Sequence, residues 1–236
     1  MILSILFLSV YSVAALNSTI GATGGLLIGI ISLIIPPPNS VVLHSINSVV
    51  SSGHRSYSLR KYLDKAILPK FIIGSLVGLV IGFLITSFIN ENIWLFIIGI
   101  YMLVLAIFPN LLVFFTKTVP ATLIFVLSGF ASLLAGTGSK VYQPYILGKY
   151  NDKSERISNL ALLATIQHFV KLPMLLYLTN LELKLIVYIP VIIIGAYLGN
   201  RVGISFLGKI SEETQFRLQS SILALVGISL CVKAIV

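Results

Sequence analysis

Acidic side chains are scarce in this sequence: Asp and Glu number seven in 236 residues, against sixteen Lys and Arg. All seven (Asp64, Glu91, Asp152, Glu155, Glu182, Glu212 and Glu213) fall in expected loops or at the ends of apolar runs. A cation carrier would need a carboxylate within the membrane, and none is expected there. The three histidines, His44, His54 and His168, are scattered and have no intramembrane carboxylate to join them, so no metal site is expected. Cys231 is the only cysteine, which excludes an intrachain disulfide and leaves the redox compartment open. No nucleophile is paired with a base, and "GTGSK" lacks the strand context and GxxxxGK[ST] spacing of a P-loop. Neither an enzyme, nor ATP use, nor a cofactor is therefore expected.

Charge of either sign is also rare, at 10% of residues where a soluble domain carries about a quarter. Hydrophobic residues make up 57% and the mean hydropathy is +1.05. Apolar runs at 71–88, 93–115 and 185–198 approach or exceed the ~20 residues that cross a bilayer. The composition predicts an all-α polytopic protein of the cell membrane, with the lipid bilayer as its main partner and no separate soluble domain. The first apolar run has no basic n-region and no small-residue cleavage site, so it is expected to be mature structure. The net charge of +9 is distributed around the spans, which makes it a topology signal and not a nucleic-acid footprint.

Internal similarity divides the chain. "LPKFIIGSLVGLVIG" (68–82) aligns with "IPVIIIGAYLGNRVG" (189–203), superposing Pro69 on Pro190, Gly74 on Gly195, Gly78 on Gly199 and Gly82 on Gly203. A glycine at every fourth position bares a stripe of backbone for close helix approach. One such stripe is weak evidence, but two in the same frame point to duplication. "NSTIGATGG" (17–25) likewise matches "ASLLAGTGS" (131–139), and "SINSVVSS" resembles "ISNLALLA", which pairs Asn47 with Asn159. Two homologous halves are expected, 1–115 and 120–236, joined by a linker at 116–119. Each has a first helix interrupted by a Thr-Gly block and then about three spanning helices. As one helix, residues 1–35 would be ~52 Å long, too long for a single span. The interruptions at Gly21–Gly25 and Gly136–Ser139 should therefore lie at membrane depth, where irregular backbone survives only inside protein or beside a wet cavity.

If each interrupted helix is a re-entrant hairpin, each half crosses three times and the halves are inverted. The loops 53–65, 116–119, 149–156 and 208–217 then share one side, which collects ten basic residues including Arg55, Lys61 and Lys149. Only Lys184 and Lys233 remain on the other. That asymmetry favours the inverted arrangement over eight full crossings and puts the basic side in the cytoplasm.

Three basic residues lie within spans: Lys140, Lys171 and Arg201. A cation near the membrane centre costs at least ~2.5–3.5 kcal/mol, so it needs a partner or water. Arg201 and Lys171 are expected to reach toward an interface. Lys140 follows a helix break and has no carboxylate to pair with, which points to an anionic substrate as its missing partner. The candidate anion site comprises Thr23, Gly24, Gly25, His44, Asn47, Thr137, Gly138, Ser139, Lys140 and Asn159: hydroxyls, amides and glycine N–H groups that can replace an anion's hydration shell. Inverted repeats whose broken helices meet at the midplane describe many secondary transporters.

"ALNSTIGATGGLLIG", "IPPPNSVVLHSIN", "SGFASLLAGTGS", "ISNLALL" and the paired glycine stripes resemble the sulfite exporter TauE/SafE family, also called TSUP, over nearly the whole chain. The resemblance implies export of small sulfur-containing anions such as sulfite, thiosulfate or organosulfonates. It also implies that the glycine-rich loops Gly21–Gly25 and Gly136–Ser139, with Asn47 and Asn159, form the site. The second loop departs from the family's usual further glycine, ending in Ser139-Lys140, and the first has Ala22-Thr23 within its glycine run. A channel or carrier for another small oxyanion or carboxylate, and a non-transporting membrane assembly protein, remain as alternatives. A homodimer is left open.

Overall fold

Helix starts along the chain follow local chemistry. Pro37 and Pro69 sit in the first turns of their helices, where a missing N–H costs nothing. The Asn90 side chain accepts the Ile93 N–H at 2.9 Å, and Asp152 accepts from Ser154 and Glu155. The computed structural model describes residues 2–20, 24–108, 114, 118–179, 186–206 and 211–235. Among these residues it has ten α-helices, two short 3-10 turns at 60–62 and 65–67, and no strand. The helices are α1 (Ile2–Ile20), α2 (Gly24–Ser32), α3 (Pro37–Ser58), α4 (Leu68–Thr86), α5 (Glu91–Ile107), α6 (Ala121–Leu134), α7 (Ser139–Lys149), α8 (Lys153–Leu178), α9 (Tyr188–Ser205) and α10 (Glu212–Ile235). Three segments, Lys65–Thr86, Lys153–Leu178 and Tyr188–Ser205, are long and apolar enough to cross a membrane.

Helix α3 is long but polar, because it carries His44, Asn47, Arg55 and a series of serines. Those side chains point inward. Ser40, Ser45, Ser51 and His44 are completely buried, and most of the α3 face they form packs on α8. The two helices run antiparallel: Ser158 Oγ donates to the Leu59 carbonyl at one end, and the His44 and His168 rings meet edge to face at 5.2 Å further along. Around this central pair α1 packs on α9, α6 on α4, and α5 on α10. Each interrupted helix thus lies against a glycine-striped helix from the other part of the chain.

Glycine makes those two contacts possible. A Cβ on Gly78 would sit 1.9 Å from the Val126 carbonyl oxygen, and one on Gly199 would sit 2.3 Å from that of Tyr11. Gly203 is as tight, with 2.2 Å to the Ala15 carbonyl. The contacts advance in step along both members of each pair, so α6 runs parallel to α4 and α1 runs parallel to α9.

Hydrogen bonds fix which loops share an end. Asp64, after α3, accepts from Lys149 Nζ at 2.8 Å and from the Tyr150 hydroxyl at 2.7 Å, where α7 stops. The Lys149 ammonium and Tyr150 hydroxyl hold the Asp64 carboxyl down at about 2. Asn159 at the start of α8 accepts the Asp64 N–H and donates to the Tyr62 carbonyl. Helix α4 leaves from this end, α6 runs beside it in the same direction, and α7 comes back to it at Lys149. At the opposite end Lys233 donates to the carbonyls of Ser32 and Leu33, where α2 stops.

Gly78→Ala and Gly199→Ala should each lower the folded yield and thermal midpoint in detergent, with a cost on the scale of ~1–3 kcal/mol for overpacking. Gly148→Ala, whose added methyl meets nothing within 4 Å, should leave both unchanged. Unaltered midpoints in the first two variants would show that the stripes are not tight contacts.

Candidate functional site

The second helix break has to satisfy its own backbone. Helix α6 ends at Leu134, α7 begins at Ser139, and Gly136 between them takes φ +79, a conformation that favours glycine. Buried carbonyls that lose their helical partners need other donors. Here side chains supply them. Trp94 Nε1 on α5 donates to the Leu134 carbonyl at 2.6 Å, and the Tyr101 hydroxyl donates to that of Thr137 at 2.9 Å. From α8, Lys171 Nζ donates to the carbonyls of Ser132 at 2.8 Å and Gly136 at 2.7 Å, and to Ser132 Oγ at 3.1 Å. An ammonium has three donors, and Lys171 uses all of them on the end of α6, where the helix dipole also favours a cation. The expectation that Lys171 reaches toward an interface is corrected: its side chain is 0% exposed and is held inside by these acceptors.

Beside the break lies a polar cavity of about 20 Å³, lined by Asn17, Ser48, Ser52, Arg55, Thr137, Ser139, Leu160, Ala164 and His168. That volume accommodates about one water molecule. The Thr137 and Ser139 hydroxyls are 3.1 Å apart at its edge. Arg55 crosses from α3, donating from Nη1 to the Asn17 carbonyl near the end of α1 and from Nη2 to Ser52 Oγ at 2.9 Å. Its Nε–H is buried with no hydrogen-bond partner. Among the described residues the ion pairs are Lys149–Asp64 and Arg217–Glu213, and none of the described carboxylates pairs with this guanidinium. Burying an unpaired cation costs several kcal/mol.

The sequence-derived site residues are only partly gathered here. Thr137 and Ser139 line the cavity, and Gly138 caps α7 against Ser128 and Gln167. Gly24 opens α2. A Cβ on Gly25 would lie 3.6 Å from the Thr137 methyl, so the start of α2 adjoins the second break. Thr23 lies outside the described residues. His44 sits behind the cavity, with Nε2 at 3.3 Å from Ser48 Oγ, and the Asn47 Oδ1 is buried without a partner. Lys140 is half-buried on the first turn of α7 and does not line the cavity. Asn159 lies away from it, its amide committed to Asp64, Tyr62 and Glu155.

The family model described as Sulfite exporter TauE/SafE matches residues 6–230. The chain belongs to the sulfite exporter TauE/SafE family. It is therefore a member of a membrane transporter family. No curated protein and no solved structure matches it.

Within this TauE/SafE chain, the charged cavity-lining residue that sequence reasoning missed is Arg55. Gly53 and the run of basic residues after it read as a loop, which assigned Arg55 to the aqueous side. A signal was present nonetheless: Ser48, Ser51, Ser52 and Arg55 recur at spacings of three, four and seven from Ser48, one face of a helix.

Proposed function

We propose that this protein exports small sulfur-containing anions, such as sulfite, thiosulfate or an organosulfonate, through the cavity beside the second helix break. The observation that carries this reading is the Arg55 guanidinium: buried, unpaired with any described carboxylate, and beside hydroxyl groups with its Nε unpartnered. The anion is its counter-ion. Ser52, Thr137 and Ser139 give neutral donors to the remaining oxygens, and the N-terminus of α7 faces the same place. Lys140, one residue beyond Ser139, adds positive potential without contact. The cavity holds only about one water, so side chains must separate to admit an oxyanion, as in a carrier that closes over its site.

The chain is read as two inverted halves, each opening with a re-entrant hairpin. Support comes from the reciprocal packing of α1 on α9 and α6 on α4, and from α6 and α7 starting and stopping at the Asp64 end. The proximity of Gly25 to Thr137 is consistent with the two breaks meeting at the midplane. With the basic end in the cytoplasm, an inside-negative potential favours anion exit by about 2.3 kcal/mol per charge per 100 mV, so no ATP is required.

Two experiments test this. Single cysteines at Tyr57 and Ser154, in a Cys231→Ser background, should both be labelled from the cytoplasm; labelling from opposite sides would overturn the topology. Sulfite and thiosulfate efflux from proteoliposomes should be at least about tenfold slower for Arg55→Gln, the scale of a lost hydrogen bond to a charged group, while Lys140→Gln falls less. If Arg55→Gln keeps the parent's efflux, the site is elsewhere.

A further inference from the structure

Arg55 and Lys171 stand at the same step of the two central helices. Each lies eighteen residues after the first residue of its helix, Pro37 in α3 and Lys153 in α8. Each donates to main-chain carbonyls near the end of an interrupted helix. Arg55 reaches Asn17 on α1, and Lys171 reaches Ser132 and Gly136 at the end of α6. Their neighbours repeat the correspondence. Four residues before Arg55, Ser51 bonds Asn200 on the glycine-striped α9, and four residues before Lys171, Gln167 bonds Ser75 on the glycine-striped α4. Because α3 and α8 are antiparallel, the two cations lie toward opposite ends of the central pair.

They differ in what is left over. Lys171 has spent all three donors on its helix end, whereas Arg55 keeps Nε unpartnered beside the cavity. Two equivalent clasps, one closed and one open to a ligand, are what a two-state carrier with matching halves requires of its opposite-facing states.

We propose that Arg55 and Lys171 are alternating ligands for the transported anion, each clasping its own helix end when it is not holding the anion. In the state described here Lys171 is clasped and Arg55 is available. In the opposite-facing state Arg55 closes fully on the α1 end, and Lys171 releases Ser132 and Gly136 to take up the oxyanion. The handover carries the anion along α3 and α8 from the Asp64 end toward the Lys233 end. A lysine serves both tasks only in turn, since an ammonium has three donors and the clasp uses them all. This inference rests on the anion-transport reading above.

The test uses the whole protein in proteoliposomes exchanging thiosulfate. An amine-reactive acylating reagent, followed by peptide mass spectrometry, should modify Lys171 during exchange, with exposed Lys61 and Lys70 as controls for reagent access. Acylation of Lys171 should stop exchange in proportion to its extent. In a second arm, Lys171→Met should bind thiosulfate within about threefold of the parent yet exchange it at least about tenfold more slowly, because only the opposite-facing site is lost. A purely structural lysine would lower thermal midpoint and binding together and leave turnover per bound anion unchanged, which would overturn the proposal. If Lys171→Met does not fold, the labelling of the parent decides: exchange with Lys171 unmodified overturns the alternation alone. A parent that moves no sulfur oxyanion overturns both this inference and the transport reading.

Discussion

An interrupted helix buried in protein leaves carbonyls that need donors other than their own helix, and much of this molecule is arranged around that constraint. The end of α6 exposes the carbonyls of Ser132, Leu134, Gly136 and Thr137, and each receives a side-chain donor from α5 or α8. Those donors are large or charged, so α5 and α8 must be held close to the break. The pairing of α5 with α10 and of α3 with α8 achieves this, and glycine on α4 lets α6 approach within backbone contact. The polar interior therefore follows from the break, and the apolar outer faces follow from the lipid.

The same constraint explains how a cation can be fully buried with main-chain carbonyls as its partners. Lys171 is stabilised by three oxygen acceptors at a helix C-terminus, each worth about 1.5–3 kcal/mol for a charged donor, which offsets a desolvation cost of several kcal/mol. Arg55 has two such bonds, one from each Nη, and its Nε has no partner. That difference separates a cation whose donors are all committed in this state from one with a nitrogen still unpartnered. Arg55 on α3 shares its cavity with Thr137 in the break and Ser139 at the start of α7.

Features with periodic or punctuated signatures were legible in the sequence. Scarce charge and long apolar runs announce an all-helical membrane protein. "AGTGS" places the second break because a positive φ and tight packing both demand glycine, and it brings Thr137 and Ser139 to the cavity. Features that depend on a partner far along the chain were not legible. Carbonyl acceptors have no residue signature, so nothing in the sequence tells that Lys171 is anchored by Ser132 and Gly136, or that Lys140 one residue past Ser139 misses the cavity. Asn47 and Asn159 look alike within their short blocks, yet Asn47 is ten residues into α3 and Asn159 six into α8, so they face different surroundings. Arg55 was hidden by its flanks, since Gly53 and the following Arg60, Lys61 and Lys65 resemble a solvated loop more than the end of a buried helix.

The central claim is that Arg55 is the protein's counter-ion for the anion. Selenite, a heavy analogue of sulfite, can be located by its anomalous scattering in crystals grown with it. The selenium should lie in the cavity with an oxyanion oxygen within hydrogen-bond distance of Arg55 Nε and others near Ser52, Thr137 or Ser139. Selenium bound at Lys140 or elsewhere, with the cavity closed and Arg55 in the position described here, would contradict it.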